Sequence, residues 1–514
     1  MTRPEKRYFK LHVGRHVLNG QSHYSDLFDA IAAMEQYDER ALHVRFAGAP
    51  FLRRFTVIKH RLYDAILASL EAFHADSSID ERLRRSLHQV EILYQRGLNK
   101  DAERMLRNVR QMAMQHGKLG ARLEVMEWER RLMERSNYAG TDEALLTERA
   151  EEASALRTEW EEMDRLWDMK ARSFMLLYRR GRARDERTVQ ELETLAEHPL
   201  LQAASETVSP RSTFMRDHIR GAIAFAMNDL DTCEQCLLRN DALLEEHALH
   251  FKDEPNLRLS VMSNLAFVRV RAGKNREALE GLKQVKRLPL QMSEAPNADL
   301  EVKIFSMTSS LELTILCRMG EFDKAVEKLS VIEEAMTRYR AVLSGIRMAA
   351  IRFQAAWACF GAGRMEDAGK WCNALLNERG AEEHEEVFAL GRVLRMLIML
   401  ESGKEDLLRY EVRNLERFLK AHDRYHRFER AVVQYARSRA AEPHARSGSA
   451  AALLRTLEAL GSDPLEAAPF DTMDLRCYAE GLVSGEPMAD VARARLRKEL
   501  RGVPTPASGK RKAA

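Results

Sequence analysis

The chain has 514 residues, 45% hydrophobic, 31% charged and only 7% aromatic, with 13 Pro and 25 Gly. That composition favours long amphipathic helices and excludes wholesale disorder, and the length exceeds one ordinary compact domain while suiting a solenoid. A net charge of +3, from 81 Lys and Arg against 78 Asp and Glu, provides no global field for nucleic acid.

The opening MTRPEKRYFK lacks the apolar stretch of a secretion signal, and no run of about 18 uncharged apolar residues occurs to span a membrane. Segments 5–16, 23–36 and 38–46 predict three short helices, the last beginning after Tyr37 with an acidic first turn. A longer helix follows over 51–73, with Phe55, Ile58, Leu62, Ile66, Leu67 and Leu70 at helical spacing.

Residues 83–115 form the first clear repeat, with Gly97, Ala102, Leu106 and Val109 in register. A long charged helix is expected from Asp142 to Arg180, with Leu156, Trp160, Leu166, Trp167, Phe174 and Leu177 as inward anchors. Gly181 ends it, a helix follows over 184–196, and the stretch up to Ser209-Pro210 reads as a loop.

Beyond 211 one arrangement recurs: apolar helix, turn residue, a small residue five positions on, then apolar positions. The strongest copies are Gly273-Ala278-Leu282-Val285, Gly320-Ala325-Leu329-Ile332 and Gly363-Ala368-Cys372-Leu375. Asn228 with Cys233 and Leu237 forms a weaker copy, as does Gly403 with Leu408, Val412 and Leu415. Each turn residue suits a left-handed backbone, and each small residue marks a crowded helix crossing. The turns are 45, 47, 43 and 40 residues apart, so helices or interrepeat loops exceed those of a minimal 34-residue unit. After His426 the pattern weakens; 441–450 reads as a linker, 451–485 as one or two terminal helices and 487–500 as another, with a mobile end.

In spacing and residue type, segments 83–115, 259–290, 306–336 and 349–376 resemble the tetratricopeptide repeat, carried most clearly by Leu265-Ala266, Gly273, Ala278, Leu282 and Val285. Arg269 stands where that family has a large aromatic, and Pro289 sits near the place of its closing proline. The EKRYFK, YSDLFDAI and FLRRFTVIKHRLYD segments with the following repeats are also similar to a group of bacterial proteins, mostly from the Bacteroidetes, which implies no particular activity. The resemblance implies a bacterial protein that binds a peptide or protein on a concave face.

The expected fold is therefore all-α, a right-handed α–α superhelix with elongated helices. Its expected divisions are a small N-terminal helical module or cap (1–75), first repeats including the long helix (76–208), the main array (209–440), a C-terminal helical cap (441–500) and a disordered basic tail (501–514).

Aligning the repeats on their turns directs one set of first-helix residues toward the groove: Tyr94, His218, Phe225, Ser263, Phe267, Arg269, Arg271, Ser310, Thr314, Arg318, Phe353 and Trp357. Of these, Tyr94, His218, Phe267, Arg269, Arg271, Arg318, Phe353 and Trp357 are the expected protein-binding residues. Aromatics there fill pockets on a partner and arginines pair with carboxylates. The alternative for Phe267, Phe353 and Trp357 is packing between helices, and for Arg269 and Arg271 a helix-dipole role.

Other constellations point to packing and solvation. Cys233 and Cys236 make a lone CxxC, with Cys233 in its repeat's small-residue position. His422 and His426, four apart, and His247 and His250, three apart, have no assignable third ligand. Neither a phosphate-binding loop nor a GxSxG elbow occurs. Arg53, Arg54, Lys59, His60 and Arg61 form a basic run, but 1–74 holds 11 basic and 8 acidic residues. The basic end, from Arg493 to Lys512, is read as a solvated helix and mobile tail, with nucleic acid or anionic lipid as the alternative partner.

The expected function is a non-enzymatic, cytoplasmic protein- or peptide-binding scaffold or adaptor, with no cofactor, metal or membrane span. The alternative is a peptide-sensing transcriptional regulator whose N-terminal module binds DNA. The six cysteines suit apolar packing in a reducing compartment.

Overall fold

A computed structural model describes residues 1–14, 23–34, 37–75, 78–202, 209–291, 298–378, 380, 382, 385–403, 405–441, 446–463 and 465–502. Helices and no strands occur among them, and the chain divides into two compact units, Met1–Leu156 and Arg157–Ala514.

The first unit begins with α1 (Arg3–Gly14), α2 (His23–Ala32) and α3 (Glu39–Arg45), then a 3-10 turn over Pro50–Arg54 and α4 (Phe55–Phe73). Asp38 starts α3 by accepting from the Arg40 and Ala41 amides at 2.8 and 3.3 Å, a side-chain cap for otherwise unpaired donors. Phe9, Leu27, Phe28, Leu42, Phe55 and Leu62 form the core of these helices. A second core joins α5 (Ile79–Gln95), α6 (Asn99–Gln115) and α7 (Leu119–Arg135) through Leu83, Leu87, Leu106, Val109 and Trp128. Arg110 ties Glu129 to Glu152, at 2.9 and 2.6 Å, on the first turns of α8 (Glu143–Arg180).

In the second unit α8 continues, followed by α9 (Glu186–Ala196), α10 (Pro199–Gln202), α11 (Pro210–Ala226), α12 (Leu230–Glu246), α13 (Pro255–Arg271) and α14 (Asn275–Gln291). Next come α15 (Ala298–Arg318), α16 (Phe322–Glu327), α17 (Leu329–Arg338), α18 (Gly345–Gly361), α19 (Met365–Leu376), α20 (Glu385–Glu401) and α21 (Glu405–Ala421). The unit ends in α22 (Arg427–Ala441), α23 (Arg446–Gly461), α24 (Ala468–Thr472), α25 (Leu475–Ser484) and α26 (Met488–Gly502).

The recurring turns share one hydrogen-bond scheme. At Gly273 (φ 75°) the Lys274 amide donates to the Arg269 carbonyl at 2.8 Å and the Gly273 amide to Val270 at 3.1 Å. These two bonds satisfy carbonyls left open at the end of α13. Asn228 (φ 67°) supports the same pair of bonds at the end of α11. The small residues that follow, Cys233, Ala278, Ala325 and Ala368, are buried. Successive hairpins then bring α13 onto α15, α15 onto α18 and α18 onto α20, so their first helices form a row.

Where the repeat pattern fades after His426, the chain returns to earlier helices. Arg184, just before α9, donates to Glu429 at 2.6 and 3.0 Å and to Glu466 at 2.8 Å, all three buried. Glu466 also caps α22, accepting from the Arg427 and Phe428 amides at 2.8 and 3.1 Å. Arg493 of α26 donates to the Gly320 carbonyl at 2.9 Å. Gly320 is required there twice over: its φ is +71°, and a Cβ would lie 2.6 Å from the Ala489 carbonyl oxygen.

Several expectations change. Trp160 and Trp167 face outward, exposed, because α8 buries the stripe of Met163, Leu166 and Met169 instead. The stretch read as a loop before Pro210 contains α10, whose Leu201 is buried. Pro289 does not close its unit, since α14 runs on to Gln291. The helix expected beyond Gly320 is split at Lys328, whose amide bonds three residues back, to Ala325, at 3.2 Å. Residues 501 and 502 belong to α26, and the remainder of the tail lies outside the described residues.

Candidate ligand-binding chamber

The row of first helices encloses a cavity of about 300 Å³ in the second unit. Phe174 and Leu177 of α8, His218, Ala222 and Phe225 of α11, Phe267 of α13 and Phe353 of α18 supply its apolar walls. Thr314, Gln354, Glu386 and, from the returning C-terminal segment, Asp471 and Thr472 supply polar ones. A shallower groove of about 210 Å³ shares Asn264, Phe267, Ser310, Thr314 and Ala350 with the chamber and adds Ser263, Ser306 and Arg347. Chamber and groove are thus contiguous, and Ala350 of α18 lines both.

One end of the chamber concentrates charge. Asp471 accepts from Arg318 at 3.2 Å, is paired with Arg182 and has the Arg271 guanidinium 3.8 Å away. Burial works to raise the Asp471 pKa, but Arg271, Arg182 and Arg318 together hold it below the ordinary carboxylate value. Arg271 lies over the rings of Phe225 and Phe267, at 4.7 and 4.5 Å from their centroids. Burial, reinforced by the like charge of Arg182, lowers the Arg271 pKa to about 10. Glu386 brings a second carboxylate, fitted across Gly181, where a Cβ would meet Glu386 Oε2 at 2.0 Å. Three guanidinium groups therefore face two carboxylates.

His218 stacks on Phe174 and Phe214, with centroids 4.8 and 5.7 Å away. Burial, and secondarily Lys170, lower its pKa to about 4, so it is neutral at pH 7. This folded value lies below the ordinary 6.5, so stability contributed by neutral His218 is lost as pH falls from 6.5 toward 4. His218→Asn is expected to flatten the acid limb of stability over that window by up to about 3 kcal/mol, measured by urea unfolding at stepped pH. An unchanged slope contradicts this role. With His218 neutral and Asp471 bound to arginines, the chamber assembles recognition groups around an apolar volume.

No protein-family model matches the chain, and neither curated proteins nor solved structures gave a significant match.

Of the residues expected at the binding face, His218, Phe267, Arg271 and Phe353 meet in the chamber, with Phe225, Ser310 and Thr314. Arg318 reaches Asp471 and, with Trp357, lines a smaller cavity behind it. Trp357 is buried and stacks on Phe360 at 5.6 Å. Arg269 points elsewhere, paired with Glu234 at 3.0 Å beside Lys274. Tyr94 belongs to the first unit, against Trp128 and under Arg135. Arg182, Gln354, Glu386 and Asp471 were missed; none occupies a repeat position that alignment on the turns selects.

The remaining candidates resolve as follows. Cys233 and Cys236 are buried on α12, and burial raises both thiol pKa values, Cys233 to about 12. His422 and His426 do not share a helical face: Asp423, at φ 54°, closes α21 between them. The His422 ring packs on Phe418 at 4.3 Å. The rings of His247 and His250 lie 5.7 Å apart. Among the described residues, no group of three His, Cys, Asp or Glu is placed to hold a metal, and no helix is long and apolar enough to cross a membrane. In the N-terminal basic run Lys59 is taken up by Glu39 at 2.5 Å. In the basic end, Arg495 pairs with Glu480 at 2.6 Å and also with Glu458.

Proposed function

We infer that this chain is a helical-repeat binding protein, a scaffold or adaptor that holds a peptide or extended protein segment in the groove and chamber of its second unit. The observation that carries this is the continuity of a hydroxyl-lined groove with an aromatic chamber containing buried, unpaired hydrogen-bonding groups. Ser263 Oγ and Gln354 Oε1 are buried without a protein partner in hydrogen-bonding geometry, and such groups carry a desolvation cost that a ligand can relieve. A groove of Ser and Asn side chains suits peptide amides, while the Phe walls suit an apolar anchor.

Selection of random peptides on the full-length protein tests this function. Ala350→Trp puts an indole where groove and chamber join, on a half-buried position of α18. Enriched peptides are expected to bind the folded wild-type protein and to lose at least tenfold in affinity on the variant. Failure to enrich any sequence, or equal binding to both proteins, contradicts the proposal.

A further inference from the structure

The charge and hydrogen-bonding groups inside the chamber specify its ligand further. We propose that the chamber recognises an apolar amino-acid unit bearing a free α-carboxylate, with Arg271 and Arg182 as the carboxylate seat; this rests on the chamber being the binding site. The Arg271 side chain is 7% exposed and that of Arg182 3%. Arg271 Nε and Nη1 and Arg182 Nε are buried without an acceptor. Arg182 Nη1 donates to Asn228 Oδ1 and its Nη2 is paired with Asp471, while the Arg271 guanidinium stays 3.8 Å from that carboxylate. By contrast Arg269, two residues from Arg271, donates directly to Glu234.

Charge sets the ligand's valence. Arg182, Arg271 and Arg318 exceed Asp471 and Glu386 by one positive charge, which one carboxylate neutralises. A phosphate dianion would overcompensate beside those two acids. Guanidinium groups match a planar carboxylate through paired N–H donors. The unpaired Glu386 Oε1 and Gln354 Oε1 are acceptors lining the same chamber, suited to a nitrogen donor on the same unit. Phe174 and Phe353 provide the apolar surface for its side chain. Two sources present this chemistry: the C-terminal residue of a peptide, and a free apolar amino acid.

Calorimetric titration of the full chain with four probes separates them: acetyl-Gly-Gly-Leu-Phe as free acid, the same peptide as C-terminal amide, acetyl-phenylalanine and phenylalanine. The free-acid peptide is expected to bind at least 30-fold more tightly than the amide. Arg271→Met is expected to reduce that ratio to within threefold of one, while Arg271→Lys, which keeps the charge but not the planar fork, retains part of it. Binding of phenylalanine as tightly as the acid peptide assigns the free amino acid as the source; binding of the acid peptide alone assigns a peptide C-terminus. Equal binding of acid and amide overturns the carboxylate seat and leaves the groove assignment intact. No binding by any probe overturns the carboxylate seat, and the groove assignment also fails if the random-peptide selection enriches nothing. The acid-to-amide ratio on the wild-type protein decides the matter even where a variant fails to fold.

Discussion

Arg184→Met is expected to destabilise the second unit by about 3–5 kcal/mol, because it removes the guanidinium that neutralises two buried carboxylates. Arg184 pairs with Glu429 and Glu466 across 245 and 282 residues of chain. Burial opposes its charge, yet the two carboxylates raise its pKa on balance. Glu466 retains the α22 amides after the substitution, whereas Glu429 loses its two bonds from Arg184. Chemical unfolding followed by far-ultraviolet dichroism measures the loss. Adding Glu429→Leu should recover part of it, since the double variant no longer buries that unpaired charge. A loss below about 1 kcal/mol contradicts a structural role for this clamp.

Asp471→Asn has an effect of similar size for the opposite reason. It removes the carboxylate on which Arg182, Arg271 and Arg318 converge, leaving these cations without that counter-charge. The expected cost is about 3–5 kcal/mol at neutral pH. Because the folded-state pKa of Asp471 lies below its ordinary value of 3.8, its contribution is fully present above about pH 4 and is lost as pH falls through the folded value. Wild type and variant should therefore differ by a constant amount from pH 5 to 8 and converge only in stronger acid. Unfolding midpoints that coincide at pH 7 contradict this account.

These contacts also show what local pattern reveals and what it cannot. The positive-φ turns at Gly97, Asn228, Gly273, Gly320, Gly363 and Gly403 were legible because helix termination follows short-range rules. The buried small residues after them were legible for the same reason. Phe225, Phe267, Arg271 and Phe353 were placed on one face because position in a hairpin determines which side of the first helix turns inward. Arg269 shows the limit: two residues from Arg271, it lies about 200° around the helix and meets Glu234 instead. Asp471, Arg182 and Glu386 complete the chamber through segments brought together from 182 to 471, and no periodicity marks such a pairing. The return of α22–α26 onto earlier helices was similarly hidden, because it pairs residues far apart in the chain, such as Arg184 with Glu429 and Phe360 with Tyr478, at no fixed spacing.

Cysteine accessibility at Ala350 tests the binding chamber most directly. All six native cysteines are free and buried, so a cysteine introduced at half-buried Ala350 becomes the fast-reacting thiol. Labelling of the Ala350→Cys protein with a methanethiosulfonate reagent is followed with and without a saturating peptide obtained from the selection. Occupied groove and chamber should slow labelling at least tenfold, with the native thiols remaining unreactive in both states. Labelling at the same rate with peptide bound would place the ligand elsewhere and contradict the chamber as its seat.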